Sequence, residues 1–347
     1  MKVRYHDVMI PIGIIGASGF TGAELMRLCA QHPEFDLRFA TGDSQAGTPV
    51  GDLYPSLAAA YPSTVYQPWS SDLLDGVEMV FLGLPHGTSQ GIVPDLIGRV
   101  RCIIDLGADF RLNTSDDYVQ WYGEAHTRPE LLDRFVYGLP ELYREQLLAT
   151  DCIATPGCYP TSASLPMAPL VRAGLITTDR IIVDAASGVS GAGRPPKPNT
   201  TFCAVDSDVT AYGLLNHRHT PEMEMNIGAP VLFTPHLVPM NRGILATCYG
   251  KPAHDGLTTE DVLGCLEEFY ADEPFVVVSE RSPSTKATLG TNVAHLTARV
   301  DQRTGTVIGL CAIDNLGKGA SGAAIQCANL AAGLPETTGL QLVGTYP

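Results

Sequence analysis

The stretch Gly13-Ile-Ile-Gly16-Ala-Ser-Gly19-Phe-Thr-Gly22 constrains the fold more than any other part of the chain. It grows out of an apolar, β-branched run at 12–15 and leads into Ala23-Glu-Leu-Met-Arg-Leu28, so the pattern predicts a strand, a tight turn and a helix. Such a turn aims backbone N–H groups and the positive end of a helix at one point, a geometry suited to a pyrophosphate. Gly16, Ser18, Gly19, Phe20, Thr21 and Gly22 are the candidate contacts. The spacing is Gly-x-x-Gly-x-x-Gly-x-x-Gly rather than Gly-x-Gly-x-x-Gly, so close backbone packing stands beside dinucleotide binding as a reading.

About twenty residues further on, the second apolar run ends in Ala40-Thr41-Gly42-Asp43-Ser44. An acid there would accept from a ribose 2′-hydroxyl, whereas an Arg would receive a 2′-phosphate. Asp43 therefore leans toward NAD, with a solvated loop acid as the alternative.

Up to residue 155, short β-branched runs at 12–15, 35–40, 77–84, 102–106 and 152–155 alternate with helical stretches, which predicts a parallel sheet with crossover helices. Pro11 is expected to open the first strand, having no N–H for a ladder. From 180 to 314 the character changes to runs at 180–186, 231–237, 244–249, 275–279, 293–300 and 306–313. The fold class that follows is α/β plus α+β: a Rossmann-like domain and a second α+β domain on a mostly antiparallel sheet. The boundaries fall at 1–155 with 319–347 for the first, completed by a small-residue helix at 319–332, and at 156–318 for the second.

With 347 residues, two domains are the first expectation. The 37 acidic against 22 basic residues give a net charge of −15 without a Lys/Arg cluster, which argues against a nucleic-acid or anionic-membrane partner. No apolar run approaches the ~20 residues of a membrane span. Nine cysteines without paired short spacings point to reduced thiols and a cytoplasmic protein. Only 17% of residues are charged, against a usual share of about 25%, which favours large interfaces.

One cysteine stands apart. Thr155-Pro-Gly-Cys158-Tyr-Pro-Thr161 places a thiol at a strand-to-helix turn, where the helix dipole and free N–H groups favour the thiolate. Cys158 is thus a candidate nucleophile, with an inert buried thiol as the alternative, whereas Cys102, Cys248 and Cys311 fall in apolar strand patterns. In His217-Arg-His219-Thr-Pro-Glu222, Thr220 reads as the N-cap and Pro221 as the first residue of a helix. The dipole would keep these imidazoles neutral and able to act as a base near pH 7. Capping and a metal site are the rival roles for His217 and His219, though no zinc spacing accompanies them. The loops Ser187-Gly188-Val-Ser-Gly-Ala-Gly-Arg194 and Asn315-Leu-Gly-Lys318-Gly carry one cation each, and Arg111 lies just past a strand of the parallel sheet. Each could meet an anionic ligand or be a turn cation.

Taken in order along nearly the whole chain, these segments resemble the N-acetyl-gamma-glutamyl-phosphate reductase family of the aspartate-semialdehyde dehydrogenase superfamily. The resemblance rests on the glycine turn, Leu84-Pro-His86, Asp105-Leu-Gly-Ala-Asp109-Phe-Arg111, Tyr137-Gly-Leu-Pro-Glu141 and Asp314–Gly322, and above all on Pro-Gly-Cys158-Tyr-Pro-Thr with His217-Arg-His219-Thr-Pro-Glu. It implies NADPH-dependent, reversible reductive dephosphorylation of N-acetyl-L-glutamyl 5-phosphate to the 5-semialdehyde in arginine biosynthesis. Cys158 would form a thioester, His219 rather than His217 would be the acid/base, and Arg111 and Arg194 would bind the substrate phosphate. Asn315, with Ser187 and Gly188, would lie near the nicotinamide. The family often has an Arg after the second strand; here Ser44 or a backbone group would have to meet the 2′-phosphate, so NAD stays open beside NADP. The resemblance also implies a small-molecule acyl-phosphate substrate and a homodimer or homotetramer. Cys158 at the junction of the expected domains leads us to expect the site in the cleft between them, and the antiparallel sheet of a chain with few charges is the expected oligomer surface. A reductase of a related aminoadipyl phosphate and a non-catalytic dinucleotide sensor are the alternatives; the sensor has no use for Cys158.

Overall fold

The computed structural model describes residues 9–346, which divide into two compact units. The first comprises the chain up to Asn113 together with His126–Thr155 and Ala324–Leu340. Its sheet has six strands: β1 (Ile10–Ile15), β2 (Phe35–Ala40), β3 (Met79–Leu82), β4 (Cys102–Asp105), β5 (Val136–Tyr137) and β6 (Cys152–Ala154). All pair in parallel, in the order β2-β1-β3-β4-β6-β5. Ile12, Ile14, Met79, Val80, Phe81, Leu82 and Ile104 have no exposed surface, as expected of strands covered on both faces. Pro11 takes the second strand position, one later than its lack of an N–H suggested. Strand order reverses at β1, with β2 on one side and β3 on the other, and in open α/β sheets that reversal makes a crevice at the carboxyl ends.

From Ala324 the helix Gly322–Ala332 belongs to this first unit. Its alanines allow close approach, and the Cys327 thiol lies 3.3 Å from the Gly138 carbonyl. Asn329 Oδ1 pairs with His32 Nε2 at 2.9 Å. The helix begins at Gly322, after a π-helical turn over Gly317–Ser321, rather than at 319.

The second unit comprises Thr114–Ala125, Pro156–Ala323 and the residues from Gln341. Its strands are β7 (Ile181–Gly188), β8 (Thr210–Ala211), β9 (Val231–Val238), β10 (Ile244–Gly250), β11 (Val276–Val278), β12 (Ala294–Asp301) and β13 (Thr306–Ile313). They form one mixed sheet, β11-β12-β13-β10-β7-β9-β8, in which only β11–β12 and β7–β9 are parallel. Burial alternates along β7 and β10, the signature of strands covered on one face.

The helix Cys158–Arg172 covers this sheet despite Pro166 and Pro169 in its interior. A proline removes a helical donor, and at Pro169 the replacement is visible: the Tyr270 hydroxyl donates to the Leu165 carbonyl at 2.7 Å. A Cβ on Gly309 of β13 would stand 3.1 Å from Pro166, so glycine lets the helix lie close to the strand.

Two segments group differently from the sequence boundaries. Residues 114–125 cluster with the second unit, where Arg218 stands 5.5 Å over the Tyr122 ring. The tail from Gln341 does so too, its carbonyl accepting the Asn292 N–H at 3.0 Å. The two-residue strands β5 and β8 are too short to leave a periodic signal.

Candidate active site

In the first unit, Gly16 has φ +86° and its N–H donates to Thr41 Oγ1 at 3.1 Å, while the Ala17 N–H donates to the Thr41 carbonyl at 2.7 Å. A Cβ on Gly16 would lie 2.5 Å from the Gly83 carbonyl, at the point where the turns after β1 and β3 meet. Gly22 is equally constrained, since its Cβ would lie 2.4 Å from Ala17 Cα, which lets the helix Phe20–Cys29 pack on the turn. Gly19 differs: its Cβ would meet only one atom, at 3.9 Å, and as N-cap it offers the helix no side-chain acceptor. Two glycines thus shape the turn and the third leaves open space before a helix start, which fits a dinucleotide pyrophosphate among Gly16, Ser18, Gly19, Phe20, Thr21 and Gly22. The Ser18 carbonyl is held by the Tyr54 hydroxyl at 2.9 Å. Asp43 and Ser44 are exposed in a short 3-10 turn beyond β2, where the Gln45 side-chain amide donates to the Ser44 carbonyl at 3.3 Å.

The carboxyl end of β4 carries a buried acidic cluster. Asp105, with no exposed surface, accepts from Ser89 Oγ at 2.9 Å and the Gly107 N–H at 2.8 Å. Burial, with the nearby Asp109 carboxylate adding to it, pushes its carboxyl up to about 7. Burial also pushes Asp109 up, but His86 and the Gly87 N–H, each 2.7 Å away, outweigh it and hold Asp109 below the ordinary value. Arg111, largely buried, donates to the Leu106 carbonyl at 2.8 Å.

In the second unit, Cys158 is the first residue of its helix and half-buried, with Gly157 as N-cap. A Cβ on Gly157 would stand 2.6 Å from His219 Nε2, so the imidazole lies directly against this glycine, one residue from the thiol. The Gly157 N–H donates to Glu222 Oε2 at 2.9 Å. Gly319 packs on the cysteine, its Cβ position lying 2.9 Å from Cys158 Cβ. His217 sits in an aromatic box of Tyr159, Tyr212 and Phe233, with ring centroids 5.6, 5.5 and 5.2 Å away. Burial, followed by the Arg218 charge, pushes His217 down to about 4, and its Nδ1 accepts the His219 N–H at 3.1 Å. The helix is Thr220–Ile227 with His219 as N-cap, one residue earlier than Thr220, so the capping position belongs to the histidine beside the thiol.

Of the two Gly/Ser-rich loops, one is pinned by the other. Asn315 Oδ1 accepts the Gly243 N–H at 2.7 Å and its Nδ2 donates to Ser190 Oγ at 2.9 Å. Ser187 is buried and donates to the Gly188 carbonyl at 3.0 Å, and Arg194 is half-buried. Lys318 does not face solvent: it has no exposed surface and its Nζ lies 5.8 Å from the centre of the Phe275 ring.

Comparison with known proteins fits this geometry. Residues 11–150 match the semialdehyde dehydrogenase NAD binding domain and residues 158–315 the semialdehyde dehydrogenase dimerisation domain. N-acetyl-gamma-glutamyl-phosphate reductase of Heliobacterium modesticaldum is 45% identical over 98% of this chain and all of its own. That of Symbiobacterium thermophilum is 46% identical over 97% of this chain and 99% of its own. The chain belongs to the N-acetyl-gamma-glutamyl-phosphate reductase family. Solved structures of aspartate semialdehyde dehydrogenases share its fold: one from Candida albicans with NADP has a TM-score of 0.70 at 16% identity, covering 93% of this chain and 98% of its own. Aspartate semialdehyde dehydrogenase II from Vibrio cholerae gives 0.69 at 16% over the same shares.

Within this reductase-family chain, sequence reasoning singled out Cys158, His217 and His219, and the structure brings the three together. It left Glu222, Tyr212, Asp105 and Gly157 without roles. Glu222 did carry a signal, an acid in the first turn of a predicted helix, but that reads as ordinary dipole complementarity.

Proposed function

We propose that this protein catalyses the reversible reduction of N-acetyl-L-glutamyl 5-phosphate to N-acetyl-L-glutamate 5-semialdehyde and phosphate, with NADP(H) as cofactor and Cys158 as nucleophile. The observation that carries the reading is the packing of His219 against Gly157, beside a cysteine at a helix N-terminus. A thiol there is favoured as thiolate. His219 takes the Cys158 proton as sulfur attacks the acyl carbon; the C–S bond forms and the C–O bond to phosphate breaks, leaving a thioester. Residues Gly16 to Gly22 would hold a nicotinamide dinucleotide, which when bound would supply the hydride that reduces such a thioester. His219 returns its proton to the resulting oxyanion, then removes it again as the C–S bond breaks and the aldehyde leaves.

In this reading Arg111 and Arg194 would bind the substrate phosphate, and Asn315 with Ser187 and Gly188 would lie near the nicotinamide. NADP is favoured by family membership, although Asp43 and Ser44 supply no cation for a 2′-phosphate. The enzyme is proposed to be a cytoplasmic homodimer or homotetramer, in keeping with nine free cysteines and the match to a dimerisation domain. No helix among the described residues is long and apolar enough to cross a membrane.

The test is phosphate-dependent reduction of NADP, and separately of NAD, by the purified protein given N-acetyl-L-glutamate 5-semialdehyde, with Cys158→Ser as control. Activity that requires phosphate and vanishes in the variant is expected. No activity with either nucleotide, or equal activity in the variant, would sink the proposal.

A further inference from the structure

One buried charge beside the thiol has no part in the chemistry above. Glu222 has no exposed surface and sits in the first turn of the helix Thr220–Ile227. Its Oε2 takes the Gly157 N–H at 2.9 Å, and Gly157 is the N-cap of the helix that starts with Cys158. From the same turn, the His219 ring presses on Gly157 at its Cα, where a Cβ would lie 2.6 Å from Nε2. A single stretch, His219 to Glu222, therefore grips the residue before the cysteine at two points, ring against Cα and carboxylate on N–H.

The choice of a carboxylate needs a reason. A glutamine oxygen could accept one N–H equally well, and burying an ion is costly unless its surroundings compensate. Two helix starts contribute to that compensation here, because Glu222 lies in the first turn of its own helix and bonds the N-cap N–H of another. An anion so placed opposes a thiolate on Cys158 and favours an imidazolium on His219.

Neighbouring titratable groups among the described residues have contacts of their own. On its own helix Tyr159 is pushed far up by burial and by Tyr212, to whose hydroxyl it is bonded at 3.0 Å. Tyr212, preceding the histidine turn, is pushed up to about 12 by burial, and His217 down to about 4 by burial and Arg218, so all three are neutral near pH 7. Arg218 stands over the Tyr122 ring, and the buried Lys318, beside Gly319, stands over Phe275. His236 of β9 meets this corner through its backbone carbonyl, which Tyr159 reaches at 3.4 Å. Glu224, on the helix of Glu222, accepts the Val231 N–H at 3.0 Å.

We infer that Glu222 is a positioning residue for Cys158: it fixes the Gly157 peptide under His219, and its negative charge tunes proton sharing between the thiol and the imidazole. The catalytic part rests on the reading proposed above; the effect on the thiol does not.

The experiment uses the full chain with Glu222→Gln and Glu222→Ala. Iodoacetamide alkylation is followed against pH at the Cys158 peptide by mass spectrometry, because the exposed Cys203 would react as well. The steady-state constants for phosphate-dependent NADP reduction and the unfolding temperature complete the set. In Glu222→Gln the amide oxygen still accepts the Gly157 N–H, so kcat is expected to fall only about threefold, while the alkylation midpoint moves down by about one pH unit. In Glu222→Ala the midpoint also moves down, and kcat falls on the order of 30-fold or more with KM nearly unchanged, because the glycine peptide is no longer held.

A wild-type alkylation profile in Glu222→Gln would overturn the inference, and so would wild-type kcat in Glu222→Ala. Should Glu222→Ala fail to fold, the Glu222→Gln profile decides alone by the same criterion. A shifted midpoint in a protein whose wild type shows no acyl-phosphate chemistry would support the effect on the thiol and remove the proposed function.

Discussion

Gly157→Ala isolates the contact on which the proposed chemistry depends. Gly157 has φ −66° and ψ 154°, a conformation alanine adopts without strain, and alanine keeps the N–H that Glu222 receives. The only new object is a methyl group. Built on the existing backbone it lies 2.6 Å from His219 Nε2 and 2.8 Å from both Cδ2 and Cε1. Ordinary contact begins near 3.4 Å, so the ring or the Gly157 backbone must give way by about 0.8 Å. The ring cannot slide freely, since His217 lies 4.9 Å away and Tyr159 5.9 Å away between centroids. Overpacking of this kind costs ~1–3 kcal/mol of stability, whereas a catalytic group misplaced by nearly 1 Å costs ~100-fold in rate. The expected result is a folded protein with an unfolding temperature a few degrees lower, kcat down on the order of 100-fold, and KM little changed. Alkylation of Cys158 should persist, because the thiol itself is not displaced. Gly264→Ala serves as control: apart from its chain neighbours and its own helix backbone, nothing lies within 4 Å of its Cβ position in the helix Thr259–Phe269, so the same substitution should leave kcat untouched. Gly157→Ala with kcat within threefold of wild type would refute the assignment of His219 as the acid/base.

Three further outcomes follow from buried charge. Asp105 is near 7 in the fold against 3.8 for the free group, so its neutral form is the one the fold favours; the stability it contributes is complete below about pH 3.8 and is lost as pH rises to about 7. Asp105→Asn should therefore stabilise by ~4 kcal/mol at most at pH 8 and by much less at pH 5, and equal denaturant midpoint shifts at the two values would contradict this. His217, pushed down to about 4 from 6.5, works the other way: its contribution is complete above about pH 6.5 and is lost as pH falls toward 4. His217→Phe should flatten that acid limb in thermal melts, and an unchanged slope would show that another group causes it. Arg242 donates through Nε at 3.1 Å to Asp314, which has no exposed surface, and a second guanidinium nitrogen lies 3.0 Å from its other oxygen. Arg242→Ala should cost ~3–5 kcal/mol, and a loss under 1 kcal/mol in chemical denaturation would mean that the Gly290, Leu316 and Gly317 N–H groups suffice for this carboxylate.

What the sequence disclosed is what local chemistry encodes. Run 35–40 is β2, run 306–313 is β13, and the strands after 180 other than the two-residue β8 lie within a few residues of the expected runs, because a covered strand must be apolar at short range. Cys158 announced itself through Pro and Gly, which mark the turn where a helix starts. The rest lies in contacts between segments far apart in the chain, for which periodicity has no signal. Gly157 and Glu222 are 65 residues apart. Lys318 followed a glycine and resembled a phosphate cation, yet its neighbours place it inside against Phe275. Residues 114–125 sit between two segments of the first unit and still cluster with the second, since Tyr122 finds its partner at Arg218, nearly a hundred residues on. Gly157 shows the limit most clearly: beside Pro156 it reads as one more turn glycine, and its φ requires no glycine at all. Only the His219 ring, brought up by another helix, explains why a side chain has no place there.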